Sequence, residues 1–164
     1  MNQFVLAFPI PVPASEPFKV TDTVSVSPDA KTLLVPGCSV SFDVVRNGAA
    51  AGLFDIFKEH REISAEEASA IDSHKSLLFL LGKVGSVDDL RMVNTAILKL
   101  LSAGATGVYM QHSGTAWAAD AFREELGDGE FPMDPWINFV ESADTLYTLG
   151  LEVFNSPDLC IAKG

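Results

Sequence analysis

The clearest pattern in the chain is a βαβ unit over residues 76–111. The uninterrupted apolar run Leu77–Leu81 is typical of a strand that is covered on both faces. Apolar residues then recur every three or four positions over 90–101, which predicts an amphipathic helix that Gly104 ends. Residues 106–111 have the pattern of a second strand. The unit predicts two co-directional strands, which are neighbours or have one strand between them.

Alternating apolar and polar positions predict more strands before this unit. The apolar segment Phe4–Ile10 is predicted to be an edge or first strand that runs into a proline-containing extension. Segments 21–27 and 31–35 flank a Pro-Asp turn signal, so they are predicted to form a hairpin. The second limb is expected to continue beyond a Pro-Gly bend into a strand over 39–45.

Further periodic segments complete the predicted elements. Helices are expected at 49–61, at 64–74 with Ser64 as its N-terminal cap, and at 115–126; strands are expected at 136–141, 144–147 and 159–162, with a short helix over 148–155. The predicted fold class is therefore α+β or mixed α/β. A single domain over 1–164 has a mixed β-sheet that contains the βαβ unit and is packed by helices, and residues 1–13 form a proline-containing N-terminal strand and extension.

Charge and composition narrow the classes of partner. The chain has 11 basic and 22 acidic residues and a formal net charge of -11, which repels nucleic acid and anionic lipid surfaces. The apolar start of the chain lacks a basic leader and is interrupted by prolines, and no apolar run approaches 18 residues. We therefore expect no nucleic acid partner, no membrane association and a cytoplasmic protein.

Two loops offer the best candidate for a ligand site. Loops 82–86 and 111–115 each follow a strand of the βαβ unit, and ligands of open sheets tend to bind beyond such strand ends. If the strands share an edge, the side chains that meet there beneath two helix N-termini suit an anion. The candidate ligand-binding residues are Lys83, Ser86, His112, Ser113 and Thr115. The simpler alternative is that the hydroxyl residues cap helices and Lys83 is solvated.

No catalytic or metal-binding constellation is evident in the sequence. His112 and Ser113 are adjacent, and neighbours on an extended chain point to opposite faces, so His112 is badly placed to act as a base for Ser113. Cys38 follows a predicted Pro-Gly bend, a position compatible with exposure, and its reactivity is left open; the simpler interpretation is two buried or half-buried, inert thiols, with Cys160 in the core. No histidines have ligand spacing, and the acidic loop 127–135 lacks a calcium-loop pattern. No cofactor is expected.

Several segments resemble a known bacterial family. The stretches Gly104–Tyr109, Phe122–Glu125, Pro135–Phe139, Leu146–Phe154 and Pro157–Leu159 are similar, in the same order, to segments of the domain of unknown function 4261 family. The resemblance covers about residues 30–162 and is clearest in the C-terminal part. It implies a shared mixed α/β fold and a bacterial origin, and it implies no chemistry. Relatives often have small residues in place of Gln111-His112-Ser113, so the resemblance implies no role for His112.

Two hypotheses about function remain open at this stage. The preferred one is a non-enzymatic intracellular binding or protein-interaction domain, because no catalytic set is present and the chain is strongly acidic. The alternative is a small enzyme or anionic-ligand-binding protein that uses loops 82–86 and 111–115. Substrate, partner and oligomeric state do not follow from the sequence.

Overall fold

The structure is a computed structural model, and it describes residues 2–127 and 131–164. The acidic part of loop 127–135 at 128–130 lies outside the described residues. The strands are β1 (Asn2–Ile10), β2 (Phe18–Lys19), β3 (Ser25–Val26), β4 (Thr32–Leu34), β5 (Ser41–Gly48), β6 (Ser76–Val84), β7 (Gly107–Met110), β8 (Thr115–Ala118), β9 (Asn138–Glu141), β10 (Thr145–Leu149) and β11 (Cys160–Ala162). The helices are α1 (Leu53–His60), α2 (Ala65–Asp72), α3 (Val87–Ser102), α4 (Ala119–Leu126) and a short 3₁₀ helix, Leu151–Phe154.

Strand β1 lies inside a six-stranded sheet with the order β4-β5-β6-β1-β7-β8. It pairs antiparallel with β6 along its whole length and antiparallel with β7 at Leu6 and Ala7. Because β6 and β7 both oppose β1, they run in the same direction with one strand between them. The predicted βαβ unit over 76–111 is thus confirmed with β1 inserted between its strands, and the fold is α+β. Segment Phe4–Ile10 is the first strand and is not an edge strand.

Helices cover both faces of this sheet. On face A, which includes Phe4 and Leu80, the strands form one core with α3. On face B, which includes Leu77 and Ala116, they pack against α1 and α2 through residues such as Phe57. The alternation along β1 assigns its even-numbered residues to face A and its odd-numbered residues to face B.

Several helix boundaries follow the predicted capping chemistry. The Ser64 hydroxyl accepts a hydrogen bond from the backbone N–H of Glu67, whose carboxylate accepts one from the Ser64 N–H, so α2 begins with a capping box. The chain leaves α3 through Gly104 at a φ of 122°, a conformation that glycine adopts without a Cβ penalty. These predictions are confirmed. The sequence could predict them because each depends only on residues that are close together in the chain.

The predicted hairpin between 21–27 and 31–35 is wrong. Strand β3 pairs with β2, and β4 pairs with β5. The first reversal is a tight turn closed by a hydrogen bond from the N–H of Val20 to the carbonyl of Val24. The second is the Pro-Gly bend itself, where the N–H of Cys38 donates to the carbonyl of Val35. The bend ends the hairpin limb that we expected it to continue.

The predicted helix over 115–126 is also too long, because its first four residues form strand β8. Thr115 pairs with Met110 and Ala118 with Gly107, and all four residues of β8 are buried. Alanine and tryptophan fit either element in isolation, so the pairing with β7 decides the outcome. Only Ala119–Leu126 is helical.

A smaller sheet in the order β11-β10-β9 contacts the main sheet through Trp136. Trp136 is fully buried against Phe4 of β1, with ring centroids 5.7 Å apart, and its Nε1 donates to the Asn94 side-chain oxygen on α3 over 2.9 Å. Gly150, at the end of β10, has a φ of 106°. A Cβ on Gly150 would lie 2.1 Å from the Trp136 carbonyl oxygen, so this approach requires glycine.

In the described part of the chain, no helix combines the length and apolar character that crossing a bilayer requires.

We predict that Gly150→Ala is much more destabilising than Gly52→Ala. Both glycines have positive φ, but a Cβ on Gly52 meets nothing within 4 Å. Backbone strain alone costs about 1–2 kcal/mol at Gly52, whereas the added collision with backbone should bring the cost at Gly150 to about 3 kcal/mol or more. Urea unfolding of both variants measures the difference. Equal losses would show that Trp136 and Gly150 do not meet as described.

Candidate functional site

The two candidate loops leave the same edge of the main sheet, but they are offset. Lys83 pairs with Gln3 of β1, whereas Met110, the last residue of β7, pairs with Leu6. This register places Lys83 and Met110 about 10 Å apart along the strands and about 10 Å apart across them. The space between them is filled by buried Trp136 and Val153, which belong to the same core as Phe4.

Lys83 and His112 lie on opposite faces of the sheet. Lys83 shares face B with Gln3, and its side chain is exposed. His112 contacts the ring of Phe4, a residue of face A, with centroids 6.4 Å apart. The expected cleft that contains both residues is therefore not formed. Face assignment depends on register with β1, which the sequence pattern does not reveal.

Ser86 caps helix α3. Its hydroxyl accepts a hydrogen bond from the N–H of Asp89 over 3.1 Å, and the Asp89 carboxylate accepts one from the N–H of Gly85 over 2.9 Å. The first turn of the helix thus carries two carboxylates of its own chain, Asp88 and Asp89, whose negative charge disfavours an anionic ligand there. A cavity of about 250 Å³ lies beside Ser86, and its lining residues include no charged side chain.

Ser113 and Thr115 belong to a buried hydrogen-bond network. The two hydroxyl oxygens lie 2.8 Å apart, and they lie 2.8 and 3.1 Å from the Pro135 carbonyl oxygen. The indole N–H of Trp117 donates to the Thr115 hydroxyl over 3.0 Å. Since both side chains are buried and bonded within the chain, this network fixes the turn 111–114 to the segment before β9.

His112 is the unusual polar group of the region. Its ring stacks on Trp136 with centroids 4.9 Å apart and planes 22° from parallel. Both ring nitrogens are buried and have no hydrogen-bond partner among the described residues. Burial lowers the pKa of His112 to about 4, although the Asp158 carboxylate partly opposes this. At neutral pH the ring carries no charge with which to attract an anion.

Cys160 is exposed although its sequence predicts a core position, whereas Cys38 is buried, in agreement with the simpler interpretation of two buried thiols. Cys38 is 4% exposed, and burial raises the pKa of its thiol, which disfavours the nucleophilic thiolate. Cys160 is exposed on the edge strand β11. The apolar neighbours of Cys160 are typical of a core strand, but no other part of the described chain covers this one.

The other histidines and acids form no evident centre. The backbone N–H of Ala50 donates to Nε2 of His74, whose Nδ1 lies 2.6 Å from the Ile71 carbonyl oxygen, so His74 is satisfied as a structural residue. Within residues 2–127 and 131–164, no group of three or more histidine, cysteine or acidic side chains is placed to hold a metal ion.

An exposed apolar surface, which the sequence pattern did not reveal, lies on the smaller sheet. Leu146 pairs with Ile161 on one side and with Glu141 on the other, and Phe139 pairs with Thr148. Residues that are paired or two apart share a face, so the apolar residues of this set lie on one side of the sheet. This surface, the β9–β11 face, consists of Phe139, Leu146, Leu159 and Ile161, which are 65%, 39%, 54% and 58% exposed. Alternation in the sequence shows which residues share a face, but it does not show that the face is uncovered.

We predict that His112→Phe reduces the acid sensitivity of folding. An ordinary histidine binds a proton below about pH 6.5, and folded His112 does so only below about pH 4. Between these values the unfolded chain binds more protons, so this contribution to stability is complete above pH 6.5 and is lost as the pH falls to 4. The shift corresponds to at most about 3 kcal/mol. Phenylalanine keeps the stacking and removes the titration.

Urea unfolding of wild type and His112→Phe at pH 4.5, 5.5 and 7.5 measures this difference. His60→Asn is the matched control, because His60 is exposed. The same pH dependence in wild type and His112→Phe would refute the assignment.

Comparisons with protein-family models, with curated proteins and with solved structures give no match to this chain. The resemblance to the domain of unknown function 4261 family therefore stays a prediction, and the function must be argued from the geometry.

Proposed function

We propose that the chain is a non-enzymatic protein-interaction domain that binds a basic protein partner on the β9–β11 face. The observation that carries this proposal is the exposure of Phe139, Leu146, Leu159 and Ile161 on one side of a three-stranded sheet. Contiguous exposed apolar surface on a folded protein commonly marks a binding surface. An aromatic residue on such a surface is typical of the anchors of protein interfaces.

The charges around the face define the chemistry of the partner. Residues 138–164 contain four acidic side chains, Glu141, Asp144, Glu152 and Asp158, and one basic side chain, Lys163. Lys163 already pairs with Glu141 over 2.6 Å. Pairing places Glu141, Asp144 and Lys163 beside the face, so a partner that covers the apolar residues meets a net negative rim, which lysine or arginine residues of the partner complement.

A depression beside Phe139 adds room for a partner side chain. It has a volume of about 270 Å³ and is lined in part by Ile137 and Trp117. Arg61 lies over the Trp117 ring at 4.8 Å and forms an ion pair with Glu125 over 3.6 Å. Because Arg61 is already paired and the lining also includes Asp134, the depression can receive a basic side chain of the partner whose aliphatic part contacts Ile137.

The positions of the potential nucleophiles support a non-enzymatic function. The Ser113 hydroxyl is buried in its network with Pro135, and Cys38 is a buried thiol with a raised pKa. The alternative of an anion-binding protein or small enzyme built on loops 82–86 and 111–115 has less support. Lys83 and His112 are on opposite faces, and His112 is neutral at physiological pH because its pKa is lowered.

The test selects partners from a random 16-residue peptide library displayed on phage, with the immobilised chain as bait. We expect the selected peptides to combine apolar residues with lysine or arginine. Their affinity should fall at least 10-fold in Phe139→Ser/Leu159→Ser, as measured by fluorescence anisotropy with synthetic peptides. Raising the salt concentration should also weaken binding, because the charged rim is exposed.

The matched control is Leu34→Ser, which removes a similarly exposed apolar side chain from β4 at the far edge of the main sheet. It should leave the affinity of the selected peptides unchanged. The proposal is wrong if no peptide is selected, if the selected peptides lack basic residues, or if they bind the double variant as well as wild type.

A further inference from the structure

Strand β11 is apolar on both faces and is exposed on both. Leu159 and Ile161 are more than half exposed on the β9–β11 face, and Cys160 is exposed on the other side. β11 is also the edge of its sheet, with β10 as its single neighbour. A strand of this composition is normally found with its faces covered and its backbone paired.

The backbone groups at the free edge can be identified from the pairing with β10. The carbonyl of Leu159 accepts from the N–H of Thr148, and the N–H of Lys163 donates to the carbonyl of Asp144. Alternation along an antiparallel strand then turns the Ile161 groups toward β10 as well. The N–H and C=O groups of Cys160 and Ala162 face away from the sheet.

We propose that this edge pairs with β11 of a second copy of the chain about a two-fold axis at Ile161. In that register Cys160 lies opposite Ala162 of the second copy, and Ala162 lies opposite Cys160 of the second copy. The outward groups of both residues then form four hydrogen bonds, and none of them is left unpaired. Ile161 lies opposite Ile161 of the second copy in a non-hydrogen-bonded pair, in which side chains approach most closely. Two three-stranded sheets become one six-stranded sheet.

The same pairing extends the apolar surface. Leu146 pairs with Ile161 within each copy, so the register produces a continuous row of four apolar side chains across the axis. The β9–β11 face of each copy stays open to solvent. The inference therefore goes beyond the proposed binding of a basic partner, and either one can fail without the other.

Charge makes the association weak but does not forbid it. The residues of β11 itself, Cys160–Ala162, carry no charge, and the Asp158 carboxylate accepts hydrogen bonds from the Leu151 N–H and the Thr148 hydroxyl. The net charge of -11 on each copy opposes association at long range, and salt screens it. A three-residue edge spans about 10 Å, which is too short for the roughly 800 Å² per partner of a stable interface. We therefore expect a weak dimer that salt strengthens.

A disulfide trap tests the register directly. In the variant Cys160→Ser/Ile161→Cys, the new thiol at position 161 lies opposite the same position of the second copy. The two Cα atoms are about 4.5 Å apart, within the range that a disulfide spans. In a glutathione redox buffer we expect this variant to form a covalent dimer on non-reducing gels at least 10-fold faster than Cys160→Ser/Phe139→Cys. The control thiol is on the β9 strand of the same sheet, at a similarly exposed position.

Adding Ala162→Pro to the trapping variant removes one outward N–H and no bond to β10. We expect this proline to slow disulfide formation at least 5-fold, while the thermal unfolding temperature changes little. In the trapping variant without the proline, we expect disulfide formation to become faster as the salt concentration rises from 50 to 300 mM. Equal trapping of the Ile161→Cys and Phe139→Cys variants, an unchanged rate with proline at 162, or slower trapping at high salt would each overturn the pairing. The phage-selected peptides test the binding of a basic partner separately, because Phe139 and Leu159 contribute no backbone hydrogen bond to the proposed pairing, which uses Cys160 and Ala162.

Discussion

The indole ring of Trp136 is the contact on which the arrangement of the two sheets depends. It is fully buried, stacks on His112 in the turn after β7, meets Phe4 of β1 edge-on and donates its N–H to Asn94 of α3. The carbonyl oxygen of Trp136 lies against Gly150 at the end of β10. One residue thus contacts a strand, a turn and a helix of the main sheet layer, and its backbone contact with β10 positions the smaller sheet. A large aromatic ring fills this junction at the density that protein interiors require.

The same contact explains why the predicted cleft is closed. The carboxyl ends of β6 and β7 do share an edge, as expected of co-directional strands. In this chain, Trp136 and Val153 fill the space beyond them with apolar atoms. His112 stacks on the indole at the cost of two unpaired ring nitrogens, a cost of roughly 1–3 kcal/mol per unsatisfied group. The edge of the sheet that holds a ligand in many open sheets holds part of the core here.

How far the sequence predicts this structure depends on the range of the interactions. The capping box at Ser64, the cap at Ser86 and the glycine exit at Gly104 are predictable because a few adjacent residues determine them. The insertion of β1 between β6 and β7 is not predictable in this way, since its partners lie about 70 and 100 positions away. For the candidate site, the sequence predicted that both loops leave the same edge of the sheet, and the strand directions confirm this. It did not reveal the register that separates Lys83 from His112.

Cys38 and Cys160 show what the remaining disagreement means. Cys160 has apolar neighbours in the sequence and Cys38 follows a Pro-Gly bend, yet tertiary packing buries Cys38 and leaves Cys160 exposed. A buried residue at a bend or a single exposed apolar residue is common in folded proteins and needs no explanation. Four apolar side chains together on an edge sheet are different, because covering them would gain about 25 cal/mol for each Å² removed from water. The four lie on or next to three neighbouring strands, and the outer strand β11 has an open backbone edge, so a partner chain at this sheet would gain both apolar burial and backbone hydrogen bonds.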